Sequence, residues 1–339
     1  MPPTGARMPG LATVIAMVVS GMRRRRRLAT AAALPWAVWT ALRMTGAERG
    51  FPFVPAMTFT PYAAAAAVLP LVLAVRSGSR TAALLSAGSG TVLATAVLSH
   101  RRTPGPAALP GCARLRVATV SLRKGLVPPA PVVDLVRRLD VDVLSVQELT
   151  PRAEAGLCAA GLGELLPWSH VIPARPGTVV SGSGAVWSRL PIGKRGAVPG
   201  SFEQPTVRLA VEGAKDVELT AVHSMPPATS PRAVREWTRD LADLPAPDPE
   251  VLRVLAGDFN ATLDHGALRA VLRTGWADAA QRAGRGLAWT WRPLRLPWPR
   301  LALDHVLIDP RIAVAGVDLV HLPGSDHRVL VVDLALPPG

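Results

Sequence analysis

The chain has 339 residues, with 38 Lys and Arg against 24 Asp and Glu and a formal net charge of +14 at pH 7. Residues 1–106 hold 12 Arg and one acid, Glu48, whereas residues 107–339 hold 26 basic and 23 acidic residues, a net of only +3. Charge confined to the more apolar part of a chain is a membrane pattern, so net charge gives no argument for nucleic-acid binding. The cysteines, Cys112 and Cys158, have neither CxxC nor zinc-type spacing, which excludes a disulfide framework and leaves a single pairing of the two open.

Residues 1–27 form a basic N-terminal segment ending in Arg23–Arg27, expected on the cytoplasmic side. Its apolar run Leu11–Met22 is too short to span a bilayer. Residues 28–98 then hold three apolar segments. Leu28–Leu42 reaches spanning length only if Arg43 and Met44 are included, with Arg43 snorkelling to the interface. Ala56–Val75 and Thr81–Leu98 run for 20 and 18 residues without a charge, and about 20 helical residues cross the hydrocarbon. Arg76 and Arg80 join the five earlier arginines on one side. The positive-inside rule then places the N-terminus in the cytoplasm and the chain after Leu98 outside, a multi-pass plasma-membrane anchor. A secretory signal peptide is the competing reading of this beginning. Residues 99–113, "SHRRTPGPAALPGCA", read as a linker.

From Arg114 the texture changes. Short β-branched runs recur: "RLRVATVSL", "VDVLSVQEL", "GAVWS", "DVELTAVHS", "VLRVLAGDF", "ALDHVLID" and "VLVVDLAL". Helical patterns lie between them. Pro131–Leu139 is one, and Pro231–Leu244 puts Val234, Trp237, Leu241 and Leu244 on one face. A third follows Asp264, which is expected to cap it, and ends at Gly275. Strands interspersed with surface helices over residues 114–337 predict an α/β domain: two packed β-sheets flanked by helices.

Polar residues gather at the strand ends. Glu148 ends one strand and His223 another; Asp258 and Asn260 finish "VLRVLAGDFN"; Asp304-His305 interrupts "LALDHVLID"; and Asp326-His327 opens the last strand. Carboxylates beside apolar strands cost free energy unless paired or metal-bound, so these endings predict one active rim.

Taken in order, "VQE", "SGSGAVWSRLPI", "AVHSMPP", "LAGDFNATLDH", "LDHVLID" and "GSDHRVLVV" resemble the endonuclease/exonuclease/phosphatase superfamily, which includes deoxyribonucleases, abasic-site endonucleases, neutral sphingomyelinases and inositol-polyphosphate phosphatases. The resemblance implies a four-layer α/β sandwich and metal-assisted attack of water on a phosphate ester. It implies Mg²⁺ or Mn²⁺ on Glu148 and Asp326, hard carboxylate ligands for a hard cation. It further implies that His327 is oriented by Asp304, that Asp258 orients or deprotonates the attacking water, and that Asn260 donates to a phosphate oxygen. His223 would steady the phosphate or protonate the leaving oxygen. The expected substrate is a phosphodiester, in a phospholipid headgroup or a nucleic acid.

His265, His305 and His321 read as structural. Trp289, Trp291 and Trp298, interleaved with Arg292, Arg295 and Arg300, read either as core or as a grip on an anionic substrate or lipid interface.

One position departs from the pattern: Ser121 stands where the family usually has Asn. Loss of one hydrogen bond to a charged group, about 1.5–3 kcal/mol, would slow turnover roughly ten- to a hundredfold. The alternative function is therefore a non-catalytic binding module on the same fold.

Overall fold

A computed structural model of the protein describes residues 10–108 and 110–339; the start of the expected basic segment and Leu109 of the expected linker lie outside the described residues. The chain divides into two compact units. One runs up to Ala47 and from Phe59 to Val97; the other contains Glu48–Thr58 and Leu98–Gly339.

The first unit is helical. Leu11–Thr45 is a single 35-residue helix, so the expected short run, the five exposed arginines and the first expected span are continuous. The second expected span is broken into Thr60–Ala66 and Val68–Arg76. Only Arg80–Ser99, of 20 residues, is long and apolar enough by itself to cross a membrane among the described residues. The described residues thus hold one uninterrupted helix of this kind rather than three, because the chain breaks within 60–76 and carries its charge inside the first helix. Arg43 is buried rather than snorkelling. Ala29, Ala74 and Ala82 pack together in the interior, while Leu69, Val75 and Leu84 stay exposed. Trp36 Nε1 donates to the Ala63 carbonyl at 2.8 Å and Trp39 Nε1 to Thr60 Oγ1 at 3.1 Å.

In the second unit twelve strands form two sheets. They are β1 (Ala113–Ser121), β2 (Val143–Leu149), β3 (Trp168–Ile172), β4 (Ser183–Ser188), β5 (Ile192–Val198), β6 (Gln204–Leu209), β7 (Val217–His223), β8 (Leu252–Asp258), β9 (Ala277–Asp278), β10 (Asp304–Ile308), β11 (Ala313–His321) and β12 (Arg328–Leu336). The first sheet has the order β11-β12-β1-β2-β4-β3, the second β5-β6-β7-β8-β10-β9. Each is mixed: β1/β2 and β7/β8 are parallel pairs, and the flanking strands β12 and β10 run antiparallel to them. The period of two along the strands builds the layers. Leu115 and Val117 of β1, with Val254 and Ala256 of β8, fill the space between sheets. Ala118 and Val120 face outward onto Val132, Val136 and Leu157 of the helices Pro129–Arg138 and Pro151–Ala159. Leu255 and Leu307 face Trp237 and Leu241 of the helix Pro231–Ala242, whose first turn is capped by Ser230. The result is the expected sandwich of two mixed sheets with helices on both outer faces.

One local expectation needs revision. Asp264 does not cap the helix Gly266–Arg273; His265 occupies that position, and Glu48 accepts from the first helical N–H of Gly266 instead. Asp264 faces His100 at 3.7 Å. Cys112 and Cys158 are free. His305 and His265 are structural, as expected: buried His305 sits between Asp278 Oδ2 at 2.7 Å and the Ala261 carbonyl at 2.9 Å.

His265 accepts from the Thr262 N–H at Nδ1 (2.8 Å) and donates from Nε2 to the Val54 carbonyl (3.1 Å), which specifies the neutral ring. Burial lowers its pKa to about 4, below the ordinary 6.5. A depressed folded-state pKa contributes stability that is complete above pH 6.5 and is lost as pH falls toward 4. Denaturant titrations of the wild type should lose about 3 kcal/mol more across that window than His265→Gln. Equal slopes would contradict this assignment.

Candidate active site

The parallel pairs end on one rim, and their antiparallel neighbours begin there. In the second sheet His223, Asp258 and Asp304 stand abreast, because His223 is in register with Asp258 and Asp258 with Asp304. In the first sheet Ser121 pairs with Gln147, one residue before Glu148, and β12 begins just after His327. A buried contact joins the two groups: His327 Nδ1 lies 2.8 Å from Asp304 Oδ2, and His327 Nε2 lies 3.8 Å from Asp258 Oδ2. Ligand atoms of Asp258, Asp304 and His327 all lie within 4.8 Å of one another. The structure therefore brings the sequence-derived residues to one rim from both sheets.

Each side chain is held by its neighbours. Thr290 Oγ1 accepts the N–H groups of Leu303 and Asp304, each at 3.0 Å, fixing the start of β10. Ser325 Oγ accepts the His327 N–H at 3.0 Å and donates to the Ser121 carbonyl at 3.2 Å, tying the last strand to the first. Asn260 donates from Nδ2 to the Ser224 carbonyl at 2.9 Å and to Asp258 Oδ2 at 3.3 Å. Both of its amide hydrogens are thereby engaged, so Asn260 orients Asp258 and presents no free donor to a phosphate.

Glu148 has a left-handed φ of 54°, and its Oε2 accepts the Lys124 N–H at 2.6 Å. Lys124 lies in a run of left-handed residues, Arg123 at φ 47°, Lys124 at 56° and Gly125 at 72°. Non-glycine residues in this region carry strain of roughly 1 kcal/mol or more each, typical of functional loops. The Lys124 amide, Thr290 and Ser325 escaped sequence reading: the first acts through backbone alone, and the others have no spacing that marks them.

The electrostatics follow from burial and like charge. Burial disfavours the His327 imidazolium, but the charge and hydrogen bond of Asp304, then Asp258 and Asp326, outweigh it and hold the pKa up to about 10. Burial and the charge of Asp304 push the Asp258 carboxyl up to about 8. Glu148 is raised by burial, against the Lys124 amide and His327, with Asp326 adding repulsion.

The donor set suits a divalent cation. Asp326 Oδ1 is buried without a hydrogen-bond partner, while Oδ2 accepts from Trp291 Nε1 at 3.2 Å. An orphaned carboxylate oxygen near a second carboxylate whose ionisation is suppressed is what a hard cation relieves. Glu148 and Asp326 would hold it.

Ser121 Oγ is buried and unpartnered, so the hydroxyl does not replace an amide's reach toward the rim. His223 Nδ1 is likewise buried and unpartnered, and its ring stacks on Phe202 at 4.2 Å. Burial first, and then His327, lowers the His223 pKa to about 3. At neutral pH it is a neutral ring, able to donate a hydrogen bond but carrying no proton to release as an acid. Histidine ring resonances followed by NMR should show His223 unchanged between about pH 5 and 8. A midpoint inside that range would contradict the buried, unprotonated assignment.

The comparisons agree with this geometry. The profile of the endonuclease/exonuclease/phosphatase family matches residues 118–327, more than half of the chain. Among solved structures, an endonuclease/exonuclease/phosphatase from Beutenbergia cavernae is 24% identical with a TM-score of 0.51, covering 66% of this chain and 72% of that one. A family protein from Leptotrichia buccalis is 15% identical with a TM-score of 0.50, covering 65% and 99%. A humanized D. rerio TDP2 is 14% identical with a TM-score of 0.50, covering 65% and 98%. A search of curated proteins returned no match. With the matched segment running from β1 to the histidine that joins the two sheets, the chain belongs to the endonuclease/exonuclease/phosphatase family.

Proposed function

We propose that this protein is a membrane-anchored, divalent-metal-dependent phosphoesterase that hydrolyses a phosphodiester by attack of water. The carrying observation is His327, held between Asp304 and Asp258 beside the orphaned oxygen of Asp326. When bound, Mg²⁺ or Mn²⁺ would neutralise phosphate charge and make a bound water more acidic. Asp304 keeps His327 charged, so its Nε2–H donates to a phosphate oxygen. Asp258, with proton affinity raised by burial, orients the attacking water and takes its proton. Neutral His223 donates to the phosphate, while Asn260 acts by positioning Asp258.

Full-length chain in detergent should release p-nitrophenol from bis(p-nitrophenyl) phosphate with Mg²⁺, lose activity in EDTA and regain it with added metal. Asp258→Asn should lower kcat about a hundredfold or more. Ser121→Asn should raise the rate several-fold if the missing amide limits turnover. No release with any divalent metal would favour the binding-module reading.

The anchoring rests on the first unit, where small side chains lie inside and Leu and Val outside, as in membrane helix packing. Parity supports the topology. Glu48–Thr58 and Leu98–Gly339 fold as one unit, so both lie on one side of a bilayer, and residues 59–97 leave and return as a helical hairpin. Crossing once, residues 28–45 of the first helix place Arg23–Arg27 on the opposite, cytoplasmic side. A phosphatase reporter fused after Gly339 should be active outside, and one inserted between Arg76 and Arg80 inactive. Cytoplasmic activity after Gly339 would reject this topology.

A further inference from the structure

The loop before β10 builds a cationic surface beside the rim that the reaction above does not use. Its backbone is stitched to the segment carrying Asp326 and His327. The Arg292 N–H donates to the Asp326 carbonyl at 3.0 Å, the Arg328 N–H to Thr290 at 2.6 Å, and Trp291 bridges both Leu301 and His327. Trp289 then serves as a platform. The Arg328 guanidinium lies 3.4 Å from its ring centroid and that of Arg300 lies 5.3 Å away.

Arg292 and Arg300 each spend one N–H on their own loop, Arg292 on the Leu296 carbonyl at 3.1 Å and Arg300 Nε on Pro297 at 3.0 Å. Arg292 and Arg328 have no carboxylate partner among the described residues, and Arg328 Nε is buried without a hydrogen-bond partner. Like charges are therefore gathered around one indole ring. Trp289, Arg292 and Arg328 line the same recess as Asp326 and His327; its volume is about 10 Å³, enough for a single water, so an anion would sit across its mouth.

We propose that Arg292, Arg300 and Arg328, gathered on Trp289, form a subsite for a second phosphate group on the substrate, next to the position of the ester being cleaved. The proposal rests on the phosphoesterase reading and narrows it to substrates bearing two phosphate groups. Planar guanidinium groups suit this role because each offers paired N–H donors to a phosphate. The source of the second phosphate, nucleotide or lipid headgroup, is read by experiment.

Full-length chain with Mg²⁺ would be assayed on two pairs that differ by one phosphate. One pair is thymidine 5′-(p-nitrophenyl phosphate) with and without a 3′-phosphate. The other is phosphatidylinositol with and without a 4-phosphate, in mixed micelles. Binding in each pair would be measured by calorimetry alongside turnover, using thymidine 5′-phosphate and 3′,5′-bisphosphate for the nucleotide pair. The second phosphate should improve kcat/KM and Kd about tenfold or more in one pair, the scale of a charge-assisted contact. Arg328→Gln and Arg292→Gln should bring that ratio close to one, with Arg328→Lys retaining part of it. A ratio near one in the wild type, or the same ratio in wild type and both Gln variants, would overturn the subsite while leaving any observed hydrolysis intact. An arginine-dependent preference in Kd without turnover of any compound would keep the subsite and reject the phosphoesterase reading.

Discussion

The site depends on one contact, the 2.8 Å approach of His327 Nδ1 to Asp304 Oδ2. His327 comes from the mouth of the first sheet and Asp304 from the first residue of β10 in the second. Elsewhere the sheets are joined by aliphatic packing, by Ser145 Oγ, which donates to the Ala256 carbonyl at 2.7 Å, and by His170 Nε2, 2.9 Å from the Gly196 carbonyl. Aliphatic packing fixes the distance between layers but tolerates sliding; a buried imidazole–carboxylate pair does not. Removing one partner of such a pair leaves an uncompensated buried charge, typically worth about 3–5 kcal/mol. The same contact that registers the rim also sets the charge state of His327, so geometry and electrostatics have a common origin.

Much of this was legible in the sequence because buried parallel strands must be apolar along their length. The seven runs read from β-branched patterning all became strands, and the rim residues stood out as polar endings on them. The strands that sequence did not single out, β3, β5, β6, β9 and β11, are at or near sheet edges or very short. There side chains such as Lys194 and Arg195 face solvent, and the hydrophobic signal is diluted. The N-terminal helices were harder for the opposite reason. Composition identifies apolar residues but not where a helix starts, and Leu11–Thr45 ran through the arginines that would ordinarily mark a boundary.

Backbone contributions were not legible at all. Glu148 is held by a main-chain N–H, and the residues that aim this amide adopt left-handed φ values that side-chain identity does not announce. Gly125 is the exception with a visible reason. At φ 72° a Cβ there would also approach Thr150 Oγ1 to 2.2 Å, so glycine is required twice over. The strained turn follows directly after Ser121, where family resemblance finds a serine in place of asparagine. The carboxylate is therefore oriented from the backbone side even though Ser121 Oγ contributes no hydrogen bond to it.

The loop from Trp289 to Arg300 brings these strands together. Sequence left it balanced between core and ligand grip, since tryptophans serve both. The structure divides the labour within it. Trp291 turns inward and donates to the same Asp326 whose other oxygen is unpartnered, while Trp289 carries two guanidinium groups and Trp298 is 68% exposed. A loop serving only as core would not leave Trp298 in solvent, and a loose surface loop would not be stitched to the residues flanking His327. Its charge lies beside the rim, where hydrogen bonds hold the loop backbone to the segment carrying Asp326 and His327. Cationic residues held this way act with little reorganisation, which is the condition under which electrostatic binding contributes most to selecting one phosphate ester over another.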